Sequence, residues 1–322
     1  VAVTAPPQAP TAAPATILAL RAIGLGDLLT GIPALRALRR AYPHAHLVLA
    51  TPDWLAGLAC LSGAVDEVLP TAALGALRWP HPPPQLAVNL HGRGPQSITD
   101  LLTTHPDAVI THRHPDFPQL GGPAWRDEQH EVDRWCGLLG AAGITADPQD
   151  LALDRPAGHP RHDGVIVIHP GAAAPSRRWP ADRFAAVAAE LAAAGHRVVV
   201  TGSRAERPLA EHVAAQAGLD AAAVLAGQLD VLGMVALISD AQLLVCGDTG
   251  VGHIATATGT ASVLVFGPTP PSHWGPRGAG HHITVWAGDR GDPHAEQPDP
   301  GLLLITAARV LDAAADILGR CA

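Results

Sequence analysis

Two short stretches set ionisable side chains beside glycine where an apolar strand turns into a helix. In the first, Gly24-Leu25-Gly26-Asp27 follows the apolar run 17–22. In the second, Asp248-Thr249-Gly250, with Gly252 and His253 close behind, follows the run 243–246 and leads through small residues to another apolar run. A strand, turn and helix in that order aim free backbone amides and the positive end of the helix outward, which suits a phosphate. A carboxylate facing a diphosphate would repel it. Asp27 is therefore either a cap that bonds free amides of its own helix or a general base facing an acceptor hydroxyl. Asp248 is a second candidate cap, while Thr249 and Gly250 offer a hydroxyl and amides to an anion. His253, one turn into that helix, either reaches the same ligand or satisfies a buried hydrogen bond.

Further groups stand at other strand ends. His169-Pro170-Gly171 closes the run 165–168, and Ser176-Arg177-Arg178-Trp179-Pro180 precedes the next helix. Guanidinium groups at the mouth of a strand neutralise a diphosphate leaving group without a metal; the alternative is two solvated loop arginines. Trp179 reads as a packing anchor. In Thr201-Gly202-Ser203-Arg204-Ala205-Glu206, the acid either accepts the hydroxyls of a ribose, as acids do in dinucleotide folds, or sits in the first turn of a helix. Gly24, Gly26 and Gly31 miss the final spacing of a dinucleotide fingerprint. The 18 histidines show no spacing that compels a metal site, and no P-loop, GxSxG elbow or catalytic cysteine signature is present.

The elements that must hold these groups alternate. In the first half, strands are predicted at 17–22, 46–50, 67–69 and 86–90, the last ending at His91-Gly92-Arg93-Gly94. Helices are predicted after Asp27, with Leu35 and Leu38 inward and Arg36, Arg39 and Arg40 outward, and at 54–62. The second half repeats the grammar: strand 165–168, helix 181–194, strand 198–201, helices from 207 and at 232–238, strand 243–246. A loop at 288–301 precedes one terminal helix over 302–318, docked on its own domain or on the first. Such alternation implies an α/β fold with mostly parallel sheets. The Pro-, Gly- and charge-rich stretch 151–164 is the linker candidate. The domain reading is a flexible tail at 1–15, a first domain at 16–155, a linker at 156–163 and a second domain at 164–322.

Composition narrows the function. At 322 residues the chain exceeds one usual core. All 21 basic residues are Arg, the formal charge is −8, and no basic stripe interleaves with aromatics, so nucleic acid is not an expected partner. Cys60, Cys136, Cys246 and Cys321 are dispersed, against a disulfide framework, and a reducing, cytoplasmic setting is expected. No uninterrupted apolar run is long enough for a membrane span, and no signal peptide is expected.

Taken in order, GLGDLLTGIPALRALRRAYP, QHEVDRWCGLLGAAG, IHPGAAAPSRRWPADRF, VVTGSRAER and CGDTGVGHIATATGTASVLVFGPTPP resemble the heptosyltransferase family, glycosyltransferase family nine. The resemblance runs from about Ile17 to Pro271. It implies a GT-B architecture of two Rossmann-like domains with parallel sheets facing a central cleft, the first binding the acceptor and the second an ADP-sugar donor. It also implies an inverting, metal-independent transfer of a sugar, heptose in this family, with the nucleotide sugar as co-substrate and no other cofactor.

Residue by residue, the resemblance puts Asp27 in the place of the general base. Arg177 falls where members carry Lys beside the donor phosphates, keeping the charge with a different reach. Asp248, Thr249 and Gly250 match the phosphate and sugar loop, with His253 nearby. Glu206 matches the ribose acid and Gly227-Gln228-Leu229 the adenine-contacting turn. Ala172, Ala173 and Ala174 stand where some members place phosphate-binding hydroxyls, leaving Ser176 as the nearest substitute. Gly26 and Arg93 are the acceptor-side candidates, with Arg113 and Arg126 behind them. The sparse basic side admits a small metabolite or another glycan beside a lipopolysaccharide core. The implied location is cytoplasmic, or peripheral to the inner face of the membrane. Two rivals share the fold: a nucleotide-sugar epimerase or hydrolase, and a nucleotide-sugar-binding protein without catalysis.

Overall fold

The computed structural model describes residues 13–278 and 280–320, so most of the tail expected at 1–15, and Cys321, lie outside the described residues. The chain divides into two compact units between Leu151 and Ala152.

In the first unit β1 (Thr16–Leu20) leads into α1 (Leu25–Ala41), followed by β2 (His46–Thr51), α2 (Ala56–Leu61), β3 (Glu67–Pro70), β4 (Leu86–Asn89), α3 (Gln96–Leu102), β5 (Ala108–Ile110) and α4 (Glu131–Ala141). The strands form one parallel sheet in the order β3-β2-β1-β4-β5, with Ile17 in register with Leu47 on one side and Leu86 on the other. Ile17 to Leu20 and all of β4 are buried, as parallel strands covered on both faces must be. α1 buries Leu28, Ile32, Leu35 and Leu38. Its arginines point outward to acids: Arg36 pairs with Asp150 at 2.7 Å, and Arg39 pairs with Asp66. From β1 the chain runs to β2 and β3 and then returns to β4 on the other side. The β1/β4 boundary is therefore a topological switch point, whose C-terminal edge is where open α/β sheets bind ligands.

The second unit contains β6 (Val165–His169), α5 (Ala181–Ala193), β7 (Arg197–Val200), α6 (Arg207–Gln216), α7 (Val231–Asp240), β8 (Leu243–Gly247), α8 (Gly250–Thr258), β9 (Ser262–Val265), α9 (Pro271–Trp274), β10 (His282–Val285), α10 (Pro300–Leu304) and α11 (Ala307–Arg320). Its parallel sheet runs β10-β9-β8-β6-β7, with the switch point between β6 and β8. One core joins Ile166, Ile168, Val198 and Val245 to Phe184, Val187 and Leu191 of α5. No helix among the described residues is long and apolar enough to cross a membrane.

Two features depart from the sequence expectations. β5, α3, α4 and β10 were not anticipated; β5 has three residues and β10 four, too few for a period to show. The single terminal helix is two helices, broken at the buried Ile305. The break turns the Ile305 carbonyl outward from any helix ladder, and Trp179 Nε1 and Arg183 Nη1 donate to it at 3.0 and 2.5 Å. Trp179 is thus the packing anchor expected, edge-on to Phe184 at 4.8 Å. α11 then packs on α5, β9 and β10 of its own unit, burying Val310, Ala314 and Ile317 at helical spacing.

The linker stretch is irregular but fastened. Arg155 donates to both carboxylate oxygens of Asp240 at 2.8 and 3.0 Å, Arg161 adds a bond at 2.7 Å, and the His162 amide one at 3.0 Å. These bonds outweigh burial and hold the Asp240 carboxyl down at about 2.

Candidate functional site

At the β1/β4 edge of the first unit, Asp27 occupies the first turn of α1, with half-buried Gly26 beside it. Gly24 is the N-cap and supplies no side-chain bond. The Asp27 carboxylate instead accepts from the Gly24 amide and from its own, the backward reach of an acid at the third helical position. Cap and base are therefore compatible readings. Burial raises the Asp27 carboxyl above its ordinary range; Arg21 opposes this, Glu131 adds to it, and the two amides oppose it.

Arg21, fully buried just after β1, ties this corner together. Its Nε donates to the Asp27 carbonyl at 2.7 Å and its Nη1 to the Leu90 carbonyl. Nη2 donates to Thr30 Oγ1 at 3.1 Å and to Glu131 Oε1 at 3.2 Å, and lies 3.7 Å from Asp27 Oδ1. Glu131 opens α4 and also receives Trp135 Nε1 at 2.9 Å and Arg134 Nε at 3.0 Å. The loop after β4 carries His91, whose buried Nδ1 has no hydrogen-bond partner and whose ring burial and Arg21 bring down to about 4. Arg93, on the same loop, is exposed, as are Arg113 and Arg126 farther along the chain.

The second unit gathers two clusters at the C-terminal ends of its strands. In the first, a short turn at Pro175–Arg177 lies against the mouth of β8: a methyl group on Gly247 would approach the Arg177 carbonyl to 3.2 Å. Ser176 Oγ and Arg177 Nε are both buried and have no hydrogen-bond partner. Two such donors on one turn suit an anion, because a buried polar group left unpaired is costly. Asp248 is buried beside them. Burial raises its carboxyl to about 6 against the Arg177 charge and a hydrogen bond with Thr269. Asp248 therefore does not cap α8. The N-cap is Thr249, without a side-chain bond, and Gly250 is the first helical residue. His253 sets its ring edge-on to Trp274 at 5.8 Å. The cavity that Asp248, His253, Thr256 and Trp274 line measures about 10 Å³, room for one water and not for a sugar.

In the other cluster, Glu206 and Ser203 form a reciprocal capping pair: the Ser203 amide donates to Glu206 Oε2 at 2.8 Å and the Glu206 amide to Ser203 Oγ at 3.3 Å. Burial raises the Glu206 carboxyl, but the Ser203 bonds, His169 and Arg178 prevail and the net shift is downward. His169, at the end of β6, is held neutral by burial against the pull of Glu206 and shares a 3.0 Å hydrogen bond with Thr201. The Gly227 amide donates to the Gly202 carbonyl at 2.9 Å, setting the Gly227-Gln228-Leu229 turn beside Glu206. Gly227 has φ +74°, and a side chain there would meet Arg204 Cα at 2.9 Å. Leu229 rests half-buried on Gly233 of α7.

The structure thus brings Ser176, Arg177 and Asp248 into one group, with Thr249 and Gly250 following directly, and Glu206 and Gly227 into another. Sequence reasoning named His169 at a strand end without giving it a role, and missed Arg21, Glu131 and Thr269, none of which carries a local signal.

The family model of glycosyltransferase family 9 (heptosyltransferase) matches residues 124–299, over half of the chain. The chain belongs to glycosyltransferase family 9. The match runs from the loop before α4 through every donor-side group named above. This family 9 glycosyltransferase is 24% identical over 295 residues to lipooligosaccharide heptosyltransferase 2 of Haemophilus ducreyi, covering 78% of this chain and 83% of that one. Among solved structures it resembles a family 9 glycosyl transferase from Veillonella parvula, with TM-score 0.77, 21% identity and coverage of 95% and 97%. It also resembles ADP-heptose lipopolysaccharide heptosyltransferase II of Escherichia coli, with TM-score 0.76, 21% identity and coverage of 95% and 99%. These likenesses show the fold, GT-B with Rossmann-like units.

Proposed function

We propose that this glycosyltransferase moves heptose from ADP-heptose to an acceptor hydroxyl in one inverting displacement that needs no metal. The observation that carries the reading is the pair of buried donors, Ser176 Oγ and Arg177 Nε, left without partners on the turn beside the mouth of β8. A diphosphate satisfies both. The ADP identity draws on the Escherichia coli heptosyltransferase II, whose name carries ADP-heptose, and on the Glu206 carboxylate over Gly171 and beside Gly202, whose carbonyl holds the Gly227 turn, where ribose and adenine would sit.

In the reaction, Asp27 accepts the acceptor's proton as its oxygen bonds to the anomeric carbon. The bond from that carbon to the diphosphate oxygen breaks, and its electron pair leaves with ADP. Burial makes Asp27 a stronger base than an exposed aspartate. Arg177 and the amides at Thr249 and Gly250 stabilise the charge that develops on the departing diphosphate. Gly26 and Arg93 border the acceptor, a glycan or small-metabolite hydroxyl, and the chemistry takes place at the cytoplasmic side, where ADP-sugars are made.

The test is incubation with ADP-heptose and a panel of acceptors that includes a lipopolysaccharide core, with product linkage read by NMR. Acceptor-dependent ADP release with inverted anomeric configuration, unchanged by EDTA, is the expected result. Donor consumption without any acceptor would move the assignment to a hydrolase or epimerase. Tighter binding of UDP- or GDP-sugars than of ADP-sugars would overturn the donor.

A further inference from the structure

One guanidinium stands between two carboxylates in the first unit, and it is closer to the one that the proposed reaction does not use. Arg21 Nη2 is within hydrogen-bond distance of Glu131 Oε1, at 3.2 Å, but 3.7 Å from Asp27 Oδ1, near enough to feel the charge and too far to bond. We propose that Glu131 is a positioning residue for the base: it anchors the Arg21 guanidinium and so keeps that cation from closing onto the Asp27 carboxylate, which stays open to a substrate proton. The inference rests on Asp27 being the base.

The surroundings fit this division. Glu131 is fixed by donors of its own, Trp135 Nε1 and Arg134 Nε, and Trp135 lies under the Arg21 guanidinium at 4.6 Å from its ring centre. The remaining Arg21 donors go to backbone carbonyls and Thr30. The charged groups that act on Asp27 are Arg21 after β1 and Glu131 from α4; Arg134 of α4 acts on Glu131, and His91 after β4, whose ring is neutral down to about pH 4, feels Arg21. Two cations thus face two anions. Both guanidiniums favour the charged form of Glu131 and hold its carboxyl low, while Asp27 keeps a raised one. Without the Glu131 charge, two buried guanidiniums would share a single carboxylate, and Arg21 would have only a few tenths of an ångström to travel to bond Asp27. A base in a direct ion pair holds a proton less well and presents one oxygen fewer to the acceptor.

The experiment compares the full chain with Glu131→Gln and Glu131→Asp. The carboxyl carbon of Asp27 is titrated by NMR, its signal identified by its loss in Asp27→Asn, and acceptor-dependent ADP release from ADP-heptose is followed against pH. In Glu131→Gln, Asp27 is expected to titrate at lower pH and the acid limb of kcat to move with it. The plateau kcat should fall about tenfold, the scale on which a weaker base slows proton transfer, with KM for ADP-heptose unchanged. Glu131→Asp keeps the charge but draws it back from Arg21, and should titrate between the other two; it also serves if the Gln variant does not fold. An Asp27 titration that overlays wild type in either folded variant overturns the inference, and so does a lowered titration with plateau kcat unchanged, since loss of the Glu131 charge alone lowers the Asp27 carboxyl wherever Arg21 stands. Wild-type turnover by Asp27→Asn would instead remove the base assignment.

Discussion

The Glu206 carboxylate lies directly over Gly171, so that a methyl group on that glycine would overlap both carboxylate oxygens. Gly171 follows β6 and Glu206 precedes α6, so the contact joins the mouths of two neighbouring strands. The obstructing atoms are the end of a flexible side chain, and Gly171→Ala should displace Glu206 without disturbing the core. Calorimetry with ADP is expected to show binding weakened about tenfold, the worth of one hydrogen bond to a charged group, with little change in melting temperature. Unchanged affinity would take Glu206 out of nucleotide recognition.

Asp27→Asn keeps the size of the side chain and an oxygen for the Gly24 amide but cannot take a proton. Transfer should fall about 10²- to 10⁴-fold, the usual contribution of a positioned general base. ADP affinity should stay at the wild-type value, because the donor groups belong to the second unit. The decisive comparison is acceptor-dependent ADP release against ADP calorimetry on the same preparation; parallel loss of both would point to misfolding.

Asp248 gives a pH signature of opposite sense to an ordinary ion-paired acid. Its folded carboxyl stands at about 6 against 3.8 when free. A raised carboxyl burdens the fold at high pH, and the burden lifts as pH falls through about 6 because the native state takes up the proton first. At pH 8 the cost is on the order of 3 kcal/mol. Asp248→Asn, which cannot charge, should therefore be more stable than wild type at pH 8, the two converging near pH 4. Urea denaturation at both pH values measures this, and a gap that does not narrow would mean that Asp248 ionises as a free acid does.

Local chemistry was legible in the sequence and long-range chemistry was not. The turns at Asp27 and Asp248 show themselves because strand, glycine and helix follow one another within a dozen residues, and Ser203 with Glu206 carries a capping pattern at fixed spacing. Arg21 and Glu131 meet across 110 residues, and nothing near either marks the partner. The pairing appears only once the sheet order seats β1 beside β4 and α4 packs on α1. The unpaired donors of Ser176 and Arg177 are a property of packing, invisible in a list of residue types. The break at Ile305 escaped for the same reason: its apolar spacing continues a helix, and the captors of its carbonyl, Trp179 and Arg183, lie more than a hundred residues upstream.

Asp240 should behave as the mirror image of Asp248. Bonds from Arg155, Arg161 and the His162 amide hold its carboxyl at about 2, below its ordinary 3.8. A depressed carboxyl contributes stability that is full above its unfolded value and is lost as pH falls toward the folded one. That contribution is on the order of 2 kcal/mol at neutral pH. Asp240→Asn should thus lower stability by about that amount at pH 7, and the deficit should shrink as the wild type is acidified below pH 4. The same change should unfasten the stretch from Arg155 to His162. Hydrogen exchange at the His162 amide, which donates to Asp240 Oδ2, is then expected to quicken more than exchange in β6, three residues farther on. Equal quickening in both would mean that the substitution loosens the whole second unit and that the stretch is not held by Asp240.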